Sequence, residues 1–377
     1  MNIHLVFPKL PPAHDAIGAH TGHLATTLAQ TCRVSVLTTE DTYDPLPGVS
    51  VRTAFSIKQR REVRGILDAL EAEQPDWLLL QYNAFSYGLW GLNLHLPAML
   101  RTLKQKYPKV RCAVMAHETW PPSINARLMI MSTWQRWQLW QLGHTADLMF
   151  FSIEPWVKKF QKWFPQIPVR HLPVGSNMPY VGIERQEARS ALGIADHTFV
   201  IGVFGKVHHS RMLSHVKAAA QAVHHECKNE SMQVLYIGPH GKEVAKSLPG
   251  IPLLDAGRLE PESVSRHFAA MDLYLSPFTR GVSTRRGSFM TALQHGIATV
   301  STQGIHTDAI LKQHNGKAFL LADEQDLNHF CQQVVELYSD NQRRQEIAKA
   351  ARRLYQTAFA WEVIASQLVA TLEEVNS

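Results

Sequence analysis

The sequence predicts an α/β protein made of two doubly wound, Rossmann-like parallel-sheet domains facing a cleft. Three observations carry that prediction. Short, nearly continuous apolar runs alternate with helical segments, as strands buried on both faces beneath crossover helices do. The alternation restarts near Phe199, midway along the chain. With 377 residues there is material for two or three domains, each large enough to bury its own core.

The elements follow in order. Residues 3–7 (IHLVF) read as a buried strand, and a loop bearing Pro and Gly runs on to Gly18. Residues 20–30 read as a helix with Leu24 and Leu28 on one face, and 33–38 (RVSVLT) return as a strand. Helical 63–73 leads into strand 77–81 (WLLLQ), and helical 96–106 into strand 111–116 (RCAVMA). Strands 148–152 and 169–173 complete this half. The second half opens on strand 199–204 (FVIGVF) and helix 213–227. Strands 233–237, 253–256, 273–276 and 298–301 follow, with helices at 262–271, 287–295 and 325–338. Helices at 341–357 and 361–375 close the chain. No fixed period recurs, which excludes a solenoid. The expected divisions are a first domain over 1–175, a second over 176–358 and a final helix over 359–377. The Pro-rich stretch from Pro173 to Pro179 is the joint.

Composition narrows the function. Apolar residues make up 45% and charged residues 19%, with 21 Gly and 20 Pro, which excludes a disordered or fibrous chain. Lys and Arg number 38 against 32 Asp and Glu, and the resulting +6 suits an anionic partner such as nucleotide phosphates or a lipid surface. Cys32, Cys112, Cys227 and Cys331 form no C-x-x-C pair, which argues against a disulfide scaffold and a cysteine zinc site. No metal-ligand spacing occurs among the histidines. The start, MNIHLVFPKLPP, lacks the features of a signal peptide, and no window of about 18 apolar residues offers a spanning helix. The expected location is the cytoplasm, free or resting on the inner face of a membrane.

Three constellations could carry chemistry. Gly205-Lys206-Val207-His208-His209-Ser210-Arg211 directly follows the FVIGVF strand, and ligands of open α/β sheets bind outside the carboxyl ends of strands. Two cations five apart on such a loop can grip a diphosphate, Arg as a planar fork and Lys as a point charge. A solvated basic loop has the same spacing. Next comes Gly281-Val282-Ser283-Thr284-Arg285-Arg286-Gly287-Ser288, a small-residue turn opening a helix that ends at Gly296. Open backbone N–H groups and a positive dipole end there attract anions, although a plain capping turn reads alike. The third is His117-Glu118 at a strand end, where a histidine serves a site or simply a core.

In this order the features resemble a retaining GT-B glycosyltransferase of glycosyltransferase family 4, over essentially the whole length. DAIGAHTGHLATTLAQ followed by RVSVLTT is similar to the family's acceptor-side glycine loop, helix and second strand, with Asp15-Ala16 in place of Gly-Gly and Gly18 retained. His117 falls on the family's cleft histidine, which touches the transferred sugar. Gly18, His20 and Glu118 fall on the acceptor side. Lys206 and Arg211 fall on the diphosphate-clasping pair, with Lys and Arg exchanged. DLYLSPFTRGVSTRRGSFMTALQHGIATVST looks like the donor signature, and FAWEVIASQLVATLEE like the closing helices that cross back to the first domain.

The family's Glu-x7-Glu pair is absent. Its positions hold Ser283 and Thr291, which can bond sugar hydroxyls only as neutral groups. With Arg285 and Arg286 added, the donor pocket gains positive charge, suited either to a second anion such as a uronate or to a salt bridge on a helix face. The resemblance implies transfer from a nucleotide-diphosphate sugar to a glycan, lipid-linked or small-molecule hydroxyl, with retention. It implies no cofactor and no metal, since fixed cations and helix ends carry the leaving diphosphate and no Asp-x-Asp motif occurs. Two rival readings are a nucleotide-sugar epimerase of the same fold and a non-catalytic nucleotide-sugar- or glycan-binding relative. Residues 156–164 interleave three Lys with four aromatics, and Trp134, Trp137 and Trp140 lie beside Arg127 and Arg136. Such segments suit peripheral membrane contact or core packing. Nucleic acid is not expected as a partner, because the cations are spread.

Overall fold

A computed structural model describes residues 1–39, 41–58, 60–121, 125–227 and 231–376. It divides into two compact units, Met1–Pro173 with Trp361–Ser377, and Val174–Ala360.

The first unit is built on seven parallel strands. They are β1 (Asn2–Val6), β2 (Arg33–Thr38), β3 (Val49–Thr53), β4 (Trp77–Tyr82), β5 (Arg111–Ala116), β6 (Leu148–Phe151) and β7 (Val169–His171), in the order β3-β2-β1-β4-β5-β6-β7. Because side chains alternate across a strand, WLLLQY on β4 feeds both faces. Leu78, Leu80 and Tyr82 enter one core with Ile66, Leu70, Leu100 and Leu139. Trp77 and Leu79 enter the other with Leu24, Leu28, Ile364 and Leu368. The final helix Trp361–Asn376 therefore packs as part of the first unit. The helix Ala16–Leu28 starts four residues ahead of the expected 20–30. Asp15 caps it, with its carboxylate accepting from Ile17 N and Gly18 N.

The second unit holds β8 (Phe199–Phe204), β9 (Met232–Ile237), β10 (Leu253–Asp255), β11 (Leu273–Ser276), β12 (Ala298–Gln303) and β13 (Leu320–Asp323). Their order is β10-β9-β8-β11-β12-β13, again all parallel. Ile201, Val203, Val234 and Leu275 pack against the helices Leu213–Glu226 and Leu327–Ser339, while Val200, Leu235 and Tyr274 pack on the helix Pro261–Ala269. At the N-terminal edge of the sheet, fully buried Arg189 meets Asp272 at 2.5 Å, and Asp272 also accepts from Val200 N at 2.7 Å.

Several elements escape the pattern. β3 is a short strand with no clean apolar run, and β13 is a four-residue strand within the apolar run 318–322, not among the strands expected. The helices Arg185–Ala191, Gly241–Ser247 and Ala309–His314 are too short to show a period. The expected helix 341–357 ends at Leu354. A wider turn, Tyr355–Phe359, follows it, in which Tyr355 O accepts from Ala360 N at 2.8 Å.

In each sheet the strand order reverses at one place, between β1 and β4 and between β8 and β11. Such switch points leave a crevice at the strand carboxyl ends, where ligands of open α/β sheets bind.

Candidate active site

The β8/β11 switch point carries Lys206 and Arg211, with Arg286 beside them. β8 ends at Phe204 and turns through Gly205, whose φ of +108° suits glycine. Tyr236 Oη donates to Gly205 O at 3.1 Å, and Val207 N donates to His240 Nδ1 at 3.1 Å, so the loop is tied down. Lys206 stands exposed. Arg211 turns inward, pairing by a backbone bridge with Phe278, which follows β11. Its Nη2 donates to Phe204 O at 2.6 Å, while Nε and Nη1 are buried with no partner. Among the described residues no carboxylate forms an ion pair with Arg211. The Phe278 ring lies under two guanidiniums, Arg211 at 5.1 Å and Arg286 at 4.2 Å. Arg286 also reaches Ser210 Oγ at 3.3 Å. A buried, uncompensated charge with orphaned donors is costly, and a bound anion removes the cost.

The turn 281–288 supplies the other wall. Gly281, at φ +83°, lies so close to Gly304 N that a Cβ would stand 2.2 Å from it. Val282 N bonds Thr302 O at 2.7 Å, and Thr284 N bonds Asp308 Oδ2 at 2.7 Å. Thr284 O in turn accepts from Val174 N. Gly281 to Thr284 are buried, whereas Arg285, Arg286, Gly287 and Ser288 are half-buried. The helix Gly287–His295 begins on Arg286 without a side-chain cap, leaving its dipole end to an anion. The hydroxyls of Ser283 and Thr291 differ in state. Ser283 Oγ is buried without a partner, while Thr291 Oγ1 donates to Gly287 O at 2.9 Å and lies 3.0 Å from Ser176 Oγ.

In the first unit, His117 follows β5 and extends the ladder by donating its N–H to Tyr82 O. Its Nε2 donates to Gln81 Oε1 at 2.6 Å, which leaves Nδ1 as the acceptor. The His20 ring stands edge-on to His117 at 4.7 Å and to Trp361 at 5.0 Å. Burial pushes the His117 pKa down to about 3. Burial, then the neighbours His117 and His23, hold His20 well below the ordinary histidine value. Both rings are neutral near pH 7, and both His20 nitrogens are buried with no hydrogen-bond partner. Gly18 is buried in the first turn of its helix, where a Cβ would stand 2.8 Å from Lys9 O, and Glu118 is exposed.

Sequence reasoning missed Phe278, Asp308, Gln81 and Trp361 as parts of these sites, and named Ser210 only within the 205–211 run. Gln81 carried a signal, a polar residue closing the apolar run WLLLQ. Asp308 carried none, lying 24 residues from the amide it holds. The 156–164 segment reads differently in three dimensions. Trp156, Phe160 and Phe164 are buried, and only its lysines face outward. No three His, Cys, Asp or Glu side chains converge on a metal position among the described residues. None of the described helices is long and apolar enough to cross a membrane.

Residues 198–340 match the model of a family described as glycosyl transferases group 1. That match lies within the second unit. The fold of the whole chain is similar to that of sucrose-phosphate synthase from Thermosynechococcus elongatus, at 15% identity over 100% of this chain and 99% of that one, with a TM-score of 0.75. HepE of Anabaena, solved with UDP and glucose, is 14% identical over 99% of this chain and 100% of its own, with a TM-score of 0.67. A UDP-forming trehalose-phosphate synthase from Burkholderia xenovorans, solved with glucose-6-phosphate, is 12% identical over 99% of both chains, at TM-score 0.67. No curated protein matches the chain by sequence. With two all-parallel sheets, this match and these neighbours in fold, the chain is a glycosyltransferase of GT-B fold.

Proposed function

We propose that this glycosyltransferase moves a sugar from a nucleoside-diphosphate sugar to a hydroxyl acceptor with retention of anomeric configuration. The observation that carries the reading is Arg211, a buried guanidinium with no carboxylate partner and orphaned Nε and Nη1 donors. A diphosphate supplies the missing anion. Lys206, Arg211 and the open end of the helix Gly287–His295 hold the charge that grows on it as the glycosidic bond breaks. Arg286, sharing the Phe278 ring with Arg211, adds a third cation and offsets the missing carboxylates with phosphate contacts rather than sugar contacts. Ser283, whose hydroxyl is buried and unpartnered, takes a donor hydroxyl; Thr291, engaged with Ser176, braces the helix. His117 lends a neutral hydrogen-bonding ring to the sugar end, and Gly18, His20 and Glu118 belong to the acceptor side. Fixed cations do the work of a divalent ion, so turnover is insensitive to chelators.

UDP is the first nucleotide to test, because HepE is solved with UDP and the trehalose-phosphate synthase is UDP-forming. Thermal shift with UDP, GDP and ADP identifies the base. Acceptor-dependent nucleoside diphosphate release in the presence of EDTA establishes transfer, and the anomeric coupling of the product reads retention. Arg211→Ala lowers kcat by about 10²- to 10³-fold, the range for removing one preorganised donor. Near-normal turnover in that variant sinks the assignment. The missing carboxylate pair favours one other reading, a binding relative, for which nucleotide shifts the melting temperature yet no acceptor is glycosylated.

A further inference from the structure

Unit one carries a large unclaimed surface. On the helix Ala126–Thr145, Met129, Ile130, Trp137 and Trp140 are all exposed, the two tryptophans at 42%. They recur at helical spacing along one face. Beside them Leu89 is 70% exposed and Trp90 51%. The Trp90 loop is a built feature. Trp90 adopts φ +57°, a strained value for a bulky residue, and its carbonyl accepts from Trp134 Nε1 and Gln135 Nε2, both at 3.1 Å. Gly91 follows at φ +76°, where a Cβ would strike the Gln135 amide at 2.3 Å. Large apolar residues held outward in one patch mark an interaction surface.

Charge chooses the partner. From Asn83 to Leu172 there are eleven Lys and Arg against three Asp and Glu, an excess of 8 where the whole chain has only 6. The helix Ala126–Thr145 contains no acidic residue. Arg127 lies over the Trp90 ring at 5.2 Å, and Arg136 and Lys159 lie over Trp120 at 4.8 and 4.5 Å. Lys158, Lys159 and Lys162 are exposed. Rings and aliphatic tips flanked by cations match the boundary between acyl chains and anionic headgroups, where Trp and Arg are each favoured.

We infer that this face of the first unit, the Leu89-Trp90 loop with the outer side of the helix Ala126–Thr145, docks on a lipid bilayer surface bearing anionic headgroups. The apolar residues enter the headgroup boundary while Arg127, Arg136 and the lysines of 158–162 meet phosphates. The contact is independent of the donor assignment, which concerns the second unit.

Flotation of the full chain with vesicles of phosphatidylcholine, alone or with phosphatidylglycerol, tests it. The protein floats with the mixed vesicles and not with phosphatidylcholine alone, and flotation falls as NaCl rises past about 0.15 M, where the screening length is about 8 Å. Leu89→Ser/Met129→Ser/Ile130→Ser/Trp140→Ser, all at exposed positions, weakens binding at least about tenfold. Arg127→Glu/Lys162→Glu weakens it by about fivefold or more per site. An unchanged melting temperature and an unchanged nucleoside diphosphate shift show that the variants are folded and the donor site is intact. Wild-type protein left at the bottom of the gradient with anionic vesicles overturns the inference, as does undiminished flotation of the fourfold variant. A concentration-dependent dimer that the fourfold variant breaks, without flotation, assigns the face to a second copy and overturns it too.

Discussion

Arg211 and His117 show how one residue type acquires a role from its surroundings. Each lies in a loop that leaves a strand end and each is buried, yet the guanidinium rests over an aromatic face while the imidazole is held neutral. The histidine pair has a consequence for stability. Burial lowers the pKa of His117 to about 3 and that of His20 well below the ordinary value. Unfolding therefore takes up protons below pH ~6.5, the value of an exposed histidine. The stability is complete above that pH and is lost as the pH falls from there toward about 3. Denaturant titrations between pH 7.5 and 4.5 show a loss approaching ~1.4 kcal/mol per pH unit for each ring. His117→Gln removes its share of that slope; an unchanged slope places the acid sensitivity elsewhere.

At the scale of elements, the turn 281–288 is held from outside itself. Asp308 is fully buried and accepts from Thr284 N, linking the turn 281–288 to the segment after β12. Asp308→Ala leaves that amide unsatisfied and lowers stability by ~2 kcal/mol. It also loosens the Ser283 and Arg286 positions, so the concentration of nucleoside diphosphate needed for half saturation rises. Urea denaturation and a calorimetric titration read the two effects. Unaltered affinity in this variant shows that the turn is fixed by its backbone bonds to Thr302 and Val174 alone. The strand-to-helix turns themselves were legible in the sequence, because Gly205 and Gly281 punctuate apolar runs and both adopt positive φ. Asp308 was not, since its partner is distant in the chain and no local pattern marks it. Phe278 stood inside the donor signature as an ordinary apolar residue. Only the bridge to Arg211 and the ring contacts with two arginines show its role.

For the whole molecule, the last helix belongs with the first unit although the second unit lies between them in sequence. Leu368 on that helix is fully buried in a core shared with Leu24 and Leu28. Leu368→Ala costs ~3 kcal/mol by the lost burial and the cavity left behind, measured by urea denaturation, and a loss under 1 kcal/mol indicates a loosely packed helix. The sequence by itself determined the two α/β sheets, the positions of most strands, and the loops after β8 and β11 that hold the cations. Those features rest on local periodicity and turn chemistry, which a chain carries in every stretch. Tertiary structure alone decided which of the Ser283 and Thr291 hydroxyls stays open, since Ser176 reaches Thr291 and not Ser283. It also decided where the aromatic residues face. The segment 156–164 and the helix Ala126–Thr145 both interleave rings with cations, but the first turns its rings into the core while the second leaves Trp137 and Trp140 outside. Burial is set by what packs against an element, and composition does not contain that.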